Sequence, residues 1–145
     1  MPTDNTMLGR ILLSIDSIAL IAGAPIADYS HTHILNPNWP PHAKFHNGQT
    51  INLAMTLGLV TLFYTWRSAA TPTLHNEFRL VSAFTGSIYW IAGIAALLYP
   101  GTMGLDPEFG GPGFPQAPLF VGCAIFAIVG SWMDAPAFKS KAKDN

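Results

Sequence analysis

At 145 residues and 15.6 kDa the chain has the length of a single domain. Half of its residues are hydrophobic and only 10% are charged, well below the share that keeps an ordinary domain in water, so lipid is the expected solvent. A net charge of −1 without an internal basic run excludes nucleic acid as a partner, and the single cysteine, Cys123, excludes a disulfide framework or a thiolate metal site.

Four apolar segments follow one another, at about 11–27, 50–66, 80–99 and 117–133, each near the length that a spanning helix needs. Lipid offers nothing to an exposed backbone, so each is predicted as a helix. The expected fold is all-α, a four-helix transmembrane bundle in one integral membrane domain covering 1–145. Arg10, Arg67, Arg79, Lys139, Lys141 and Lys143 fall on one side of these segments and Lys44 alone on the other. That bias predicts cytosolic termini, in the endoplasmic reticulum if the cell is eukaryotic. A cleaved signal peptide is the competing reading of the first segment, with Arg10 as its basic region and Ala22-Gly23-Ala24 as the cut. Asp16 inside the apolar run and Pro25 directly after the cut argue against it.

Residues 1–9 are short and polar and are expected to fray. The first span carries Asp16 between Ser14 and Ser17. An ionisable group at that depth points either to function or to a bond that fixes helix packing. Gly23, Ala24 and Pro25 should end the helix near Asp28, at the opposite boundary. Residues 29–41 read as a loop, with Asn36-Pro37 and Trp39-Pro40-Pro41 as its turn signals. Pro41 suits a first helical turn. From there His42, His46 and Gln49, at i, i+4 and i+7, share one face, and Asn52 and Leu53 lie on either side of this polar stripe as it continues into the membrane. A cytosolic turn is predicted over 68–78, with His75 and Glu77 solvated. The third span offers Ser82, Thr85, Gly86, Ser87 and Gly93 for close helix contact. A glycine- and proline-rich loop, 100–118, brings Asp106 and Glu108 to the side of the histidines. Asp134 closes the fourth span.

Four of the five histidines, His31, His33, His42 and His46, lie in the first loop and the start of helix two. Three chemistries compete for them. The spacings His31-x-His33 and His42-x3-His46, completed by Asp28, suit zinc or iron. Without any cofactor, Asp28, His31, His33, His42, His46 and Gln49 make an acid/base inventory, with Asp106, Glu108, Asp16 and Asn52 as secondary candidates. Such a set can open an epoxide or shift a double bond in a lipophilic small molecule that enters a cavity between the helices from the lipid. The third reading is structural, with the histidines capping helices among the headgroups. Acid/base chemistry is the expectation, with His42 and His46 as the central pair and Asp28 orienting one of them.

The run Asn36-Pro37-Asn38-Trp39-Pro40-Pro41-His42-Ala43-Lys44-Phe45-His46 resembles small four-span membrane proteins, some of them encoded in fungal biosynthetic clusters. That resemblance implies a membrane hydrolase acting on epoxides in polyketide secondary metabolism. The layout is also similar to the emopamil-binding-protein superfamily, four-span sterol isomerases and lipid binders with acids and a histidine in a membrane cavity. This second likeness implies a double-bond isomerase as the alternative, and neither likeness assigns a site residue. A His-ligated metal oxidoreductase and a non-catalytic ligand-binding or accessory protein stay open, as do a homo-oligomer and pathway enzymes as partners.

Overall fold

The computed structural model describes residues 4–135, and its regular elements there are all helical. Helix α1 (Asp4–Ile18) continues through one π-helical turn, Ala19–Gly23, into α2 (Ala24–Asp28), making one long rod. Pro25 has no N–H to give and its ring crowds the carbonyl one turn back; the wider π turn lies where that conflict falls. Helix α3 (Pro41–Trp66) and helix α4 (Pro72–Ala95) each begin on a proline, and the Thr71 side chain caps α4 by accepting from the Leu74 N–H at 3.2 Å. A 3-10 turn, Ala96–Leu98, extends α4, and α5 (Ala117–Met133) completes the bundle.

The first rod packs against α3 and α5, and α4 packs against the same two, so α1 and α4 stand on the diagonal. Residues 67–71 share one end of the bundle with the start of α1 and the end of α5. The connections 29–40 and 99–116 share the other, the loop end. Two stretches differ from expectation. Residues 4–9 are helical, not frayed, because Gly9 is pinned against α5. His75, Glu77 and Phe78 lie on α4 and not in a turn, because the Thr71 cap starts the helix at Pro72. The lysines at 139, 141 and 143 lie outside the described residues.

Small residues let the rods touch. A Cβ on Gly9 would lie 2.5 Å from the Gly130 carbonyl oxygen, and one on Gly130 would lie 2.8 Å from that of Gly9, so α1 and α5 meet backbone to backbone. Helices without a hydrophobic drive between them associate in this way. Leu13, Leu20 and Trp90 fill the axis together with Ser17, Thr61, Thr65 and Ser82. Ser17 and Thr65 return their protons to the carbonyls of Leu13 and Thr61, which makes the buried hydroxyls cheap. Outside, Ile11, Ile15, Ile18, Phe84 and Ile128 are exposed. Among the described residues, Asn5–Asp28 and Pro72–Leu98 are long and apolar enough to cross a membrane, and Ala117–Met133 is a shorter apolar helix.

Candidate functional site

At the loop end, Asp28 terminates the first rod. Asn47, on the inward face of α3, donates its Nδ2 to Asp28 Oδ2 at 3.1 Å. The other carboxylate oxygen, Oδ1, faces His33 Nε2 at 3.8 Å. That gap is too long for a hydrogen bond, so neither atom satisfies the other. The edge of Trp39 packs on the His33 ring, with centroids 5.2 Å apart. Asn47 Oδ1 is buried without a partner, a further acceptor beside the pair.

Counting protons fixes the tautomer of His33. Ser30 Oγ donates to the Ala27 carbonyl at 2.7 Å, which uses its one proton. Thr32 Oγ1, 2.9 Å from Ser30 Oγ, must then be the donor in that pair. With its own proton used, Thr32 can only accept the third bond, at 2.8 Å, from an N–H at His33 Nδ1. A neutral ring with its proton on Nδ1 presents the lone pair of Nε2 to the Asp28 carboxylate. In that state the two atoms are both acceptors, and a molecule that brings two protons, such as water, can bridge them from the side.

His42 and His46 form a separate arrangement. Their Nε2 atoms are 3.0 Å apart, and His46 Nδ1 lies 3.3 Å from Gln49 Oε1. All three side chains are exposed, as is Asn52 farther along. The expectation that Asp28 orients one of this pair fails, since its carboxylate turns to Asn47 and His33. The buried face of α3 is Asn47, Ala54, Gly58, Thr61 and Thr65. At 100° per residue that face lies roughly 130° round the helix from the His42–His46–Gln49 stripe. An open hollow of about 580 Å³ flanks this outer face, bordered by Lys44, Gln49, Asn52 and Leu53, where the expectation was a cavity between helices.

His31 is exposed, apart from both arrangements. Among the described residues no group of three or more His, Cys, Asp or Glu converges as metal ligands, and His31 and His33 lie apart from the His42–His46 pair. Of the secondary candidates, Glu108 accepts from Asn36 Nδ2 at 2.7 Å and from Asn38 Nδ2 at 3.1 Å, joining the two loops. The Asp106 side chain is exposed beside it. Asp16 is fully buried in the middle of the bundle, where Trp90 Nε1 donates to Oδ1 at 2.8 Å and Oδ2 has no partner. It ties the diagonal helices α1 and α4 together.

The expectation that His75 is solvated is corrected at the opposite end. His75 Nε2 lies 2.9 Å from Asp134 Oδ2, and Arg10 Nε lies 3.0 Å from Asp134 Oδ1. Asn47, Ser30, Thr32 and the Asp134 cluster escaped the sequence reading. Asn47 had a legible signal, because it heads the small-residue stripe of α3. The Asp134 cluster joins residues far apart in the chain and had none.

The model of a family described as of unknown function, DUF6640, matches residues 12–140. No curated protein and no solved structure matches the chain.

Proposed function

The chain belongs to that family of unknown function, and from its site we propose that it is a multi-pass membrane enzyme using Asp28 and His33 for acid/base chemistry on a lipophilic small molecule. The reaction we assign is epoxide hydrolysis. The observation that carries the reading is the 3.8 Å approach of His33 Nε2 to Asp28 Oδ1, with Asn47 holding the carboxylate and Thr32 holding the imidazole. Water beside the pair, about 2.8 Å from each atom, bridges them and donates to both groups. His33 Nε2 takes one of its protons as the water oxygen bonds to an epoxide carbon. The ring C–O bond breaks with its electron pair on oxygen, which is protonated by water at the headgroup level, giving a diol. Asp28 stabilises the imidazolium that forms. No cofactor enters this chemistry.

The membrane placement rests on the two long apolar rods, the apolar outer surface and the gathering of Arg10, Arg67 and Arg79 at the end opposite the site. In this reading all four rods span, the termini are cytosolic and the membrane is that of the endoplasmic reticulum in a eukaryote. Asp28 and His33 then lie at the lumenal boundary. The half-buried His33 beside Trp39 is reached from the interface, without a channel through the bundle.

The test uses the full chain in detergent, long-chain terminal and internal alkyl epoxides, and ¹⁸O-labelled water. One labelled oxygen per diol is expected, with turnover lost in Asp28→Asn. Turnover equal in wild type and Asp28→Asn overturns the assignment. Solvent deuterium appearing on carbon of an unsaturated substrate, without labelled oxygen, replaces hydrolysis by double-bond isomerisation.

A further inference from the structure

His42 and His46 take no part in the Asp28 site, and their geometry has a use of its own. We propose that their two Nε2 atoms form a binding site for a divalent transition metal of the imidazole-preferring class, copper(II) foremost.

The first argument is the bite. The Nε2 atoms are 3.0 Å apart. Two nitrogens bound at about 2.1 Å to one ion, at a right angle, are separated by about 3.0 Å, whereas a tetrahedral angle separates them by about 3.4 Å. The gap therefore matches two adjacent corners of the tetragonal geometry that copper(II) and nickel(II) favour, and zinc needs the rings to part by a few tenths of an ångström. The rings stand at 80° to each other on an exposed helix face, so an ion reaches both without entering the bundle.

The second argument is the support behind one ligand. His46 Nδ1 faces the Gln49 side-chain oxygen at 3.3 Å. A carbonyl acceptor on the far nitrogen keeps the ring proton there and leaves Nε2 free as a donor to metal, which is how ligating histidines are commonly oriented. Without metal, the same tautomer accepts an N–H from His42 Nε2. An ion takes the place of that proton, which moves to His42 Nδ1. Absence of a carboxylate in the pair disfavours magnesium and calcium, which need oxygen ligands. The start of α3 opposes a cation and lowers affinity only a few-fold, since the dipole effect at an exposed site is small. Two protein ligands leave the remaining positions to water or an added small ligand, beside the hollow that Gln49 and Asn52 border.

The experiment titrates metal-stripped full-length protein in detergent with copper(II) alone, followed by electron paramagnetic resonance and calorimetry. One equivalent should bind with the hyperfine pattern of two nitrogens. His42→Ala and His46→Ala should each lose that pattern, and Gln49→Leu should weaken binding about 10–100-fold. His31→Ala and Asp28→Asn should leave it unchanged, which keeps this site separate from the acid/base site. A two-nitrogen signal that survives in the His42→Ala/His46→Ala double variant, or that disappears in His31→Ala, overturns the proposal. Because His42, His46 and Gln49 are exposed, circular dichroism should show their variants folded.

Discussion

Asp28 and Asp134 sit at opposite ends of the bundle, each facing a histidine. Asp134 is 2% exposed, and both of its oxygens are engaged at close range, one by the Arg10 guanidinium and the other by His75. Arg10 also lies over Trp66, whose Nε1 donates to Ser14, so this cluster draws in α1, α3, α4 and α5. Asp28 has one oxygen held by the neutral amide of Asn47 and the other left 3.8 Å from His33 Nε2. A carboxylate with a close donor on each oxygen has no valence left for a reactant and works as a clamp. One with an amide on one side and a gap on the other keeps a lone pair for a proton in transit. Both ends combine the same two residue types; the guanidinium makes the difference.

Exchanging the two aspartates for neutral residues should separate these roles with the largest effects. Asp134→Ala leaves a partly buried guanidinium and imidazole facing nothing, and is expected to destabilise by about 3 kcal/mol, at the low end for a broken buried pair because Arg10 and His75 retain some water. Asp28→Asn keeps the oxygen that Asn47 bonds and turns an N–H toward His33 Nε2. Its unfolding free energy should change by less than about 1 kcal/mol, while turnover falls about 10²–10⁴-fold. Denaturant unfolding in detergent and an epoxide assay read the two quantities on the same samples. If Asp28→Asn unfolds as readily as Asp134→Ala, the loop-end carboxylate is a second clamp and the contrast is lost.

Asp16 sharpens the contrast from the middle of the bundle. A Cβ on Gly86 would come within 2.6 Å of Asp16 Oδ2 and 3.0 Å of Ala127 Cβ. Gly86→Ala should therefore cost about 1–3 kcal/mol by overpacking, seen as a lower melting temperature. It should leave the catalytic rate per folded molecule unchanged. A rate that falls with it would make Asp16 part of the chemistry.

How much of this was legible beforehand depended on the range of the interaction. The helix starts at Pro41 and the small residues of α4 follow from local rules, and α3 and α5 run close to where those rules put them. The His42–His46 pairing also follows from helical spacing. The His42–His46–Gln49 stripe, expected to serve a cavity between the helices, instead lies on the exposed face of α3. In a bundle held by close backbone contact the inward stripe is the small one, Ala54, Gly58, Thr61 and Thr65, and Asn47 travels with it. The Asp134–Arg10–His75 cluster joins residues from three helices, and no local pattern announces it. Glu108 was placed on the right side of the molecule, but its partners were not foreseen, since two asparagines in a proline-rich loop look like turn residues.

Smaller effects should come from the groups that hold the dyad in place. Thr32→Val removes the acceptor for the His33 Nδ1 proton and frees the ring to take the other tautomer. The rate should fall about fivefold to tenfold, the kinetic equivalent of one hydrogen bond, with little change in unfolding. An unchanged rate would show that the hydroxyl chain does not set the base.

The smallest effect belongs to Glu108. Its carboxylate receives bonds from Asn36 and Asn38, and Asn36 is 1% exposed while its own oxygen accepts the Asn38 N–H at 2.8 Å. Glu108→Ala strips the acceptor from a buried amide, but Glu108 itself is exposed, so the loss should be about 1 kcal/mol. It should be local, seen as faster hydrogen exchange at Asn36, Asn38 and Trp39 with the helices unaffected. Trp39 packs on His33, so loosening the loop should raise KM for an apolar substrate more than it lowers kcat. The opposite split would mean that the two loops position the reacting groups themselves, and that the dyad extends across the loop-end contact to Glu108.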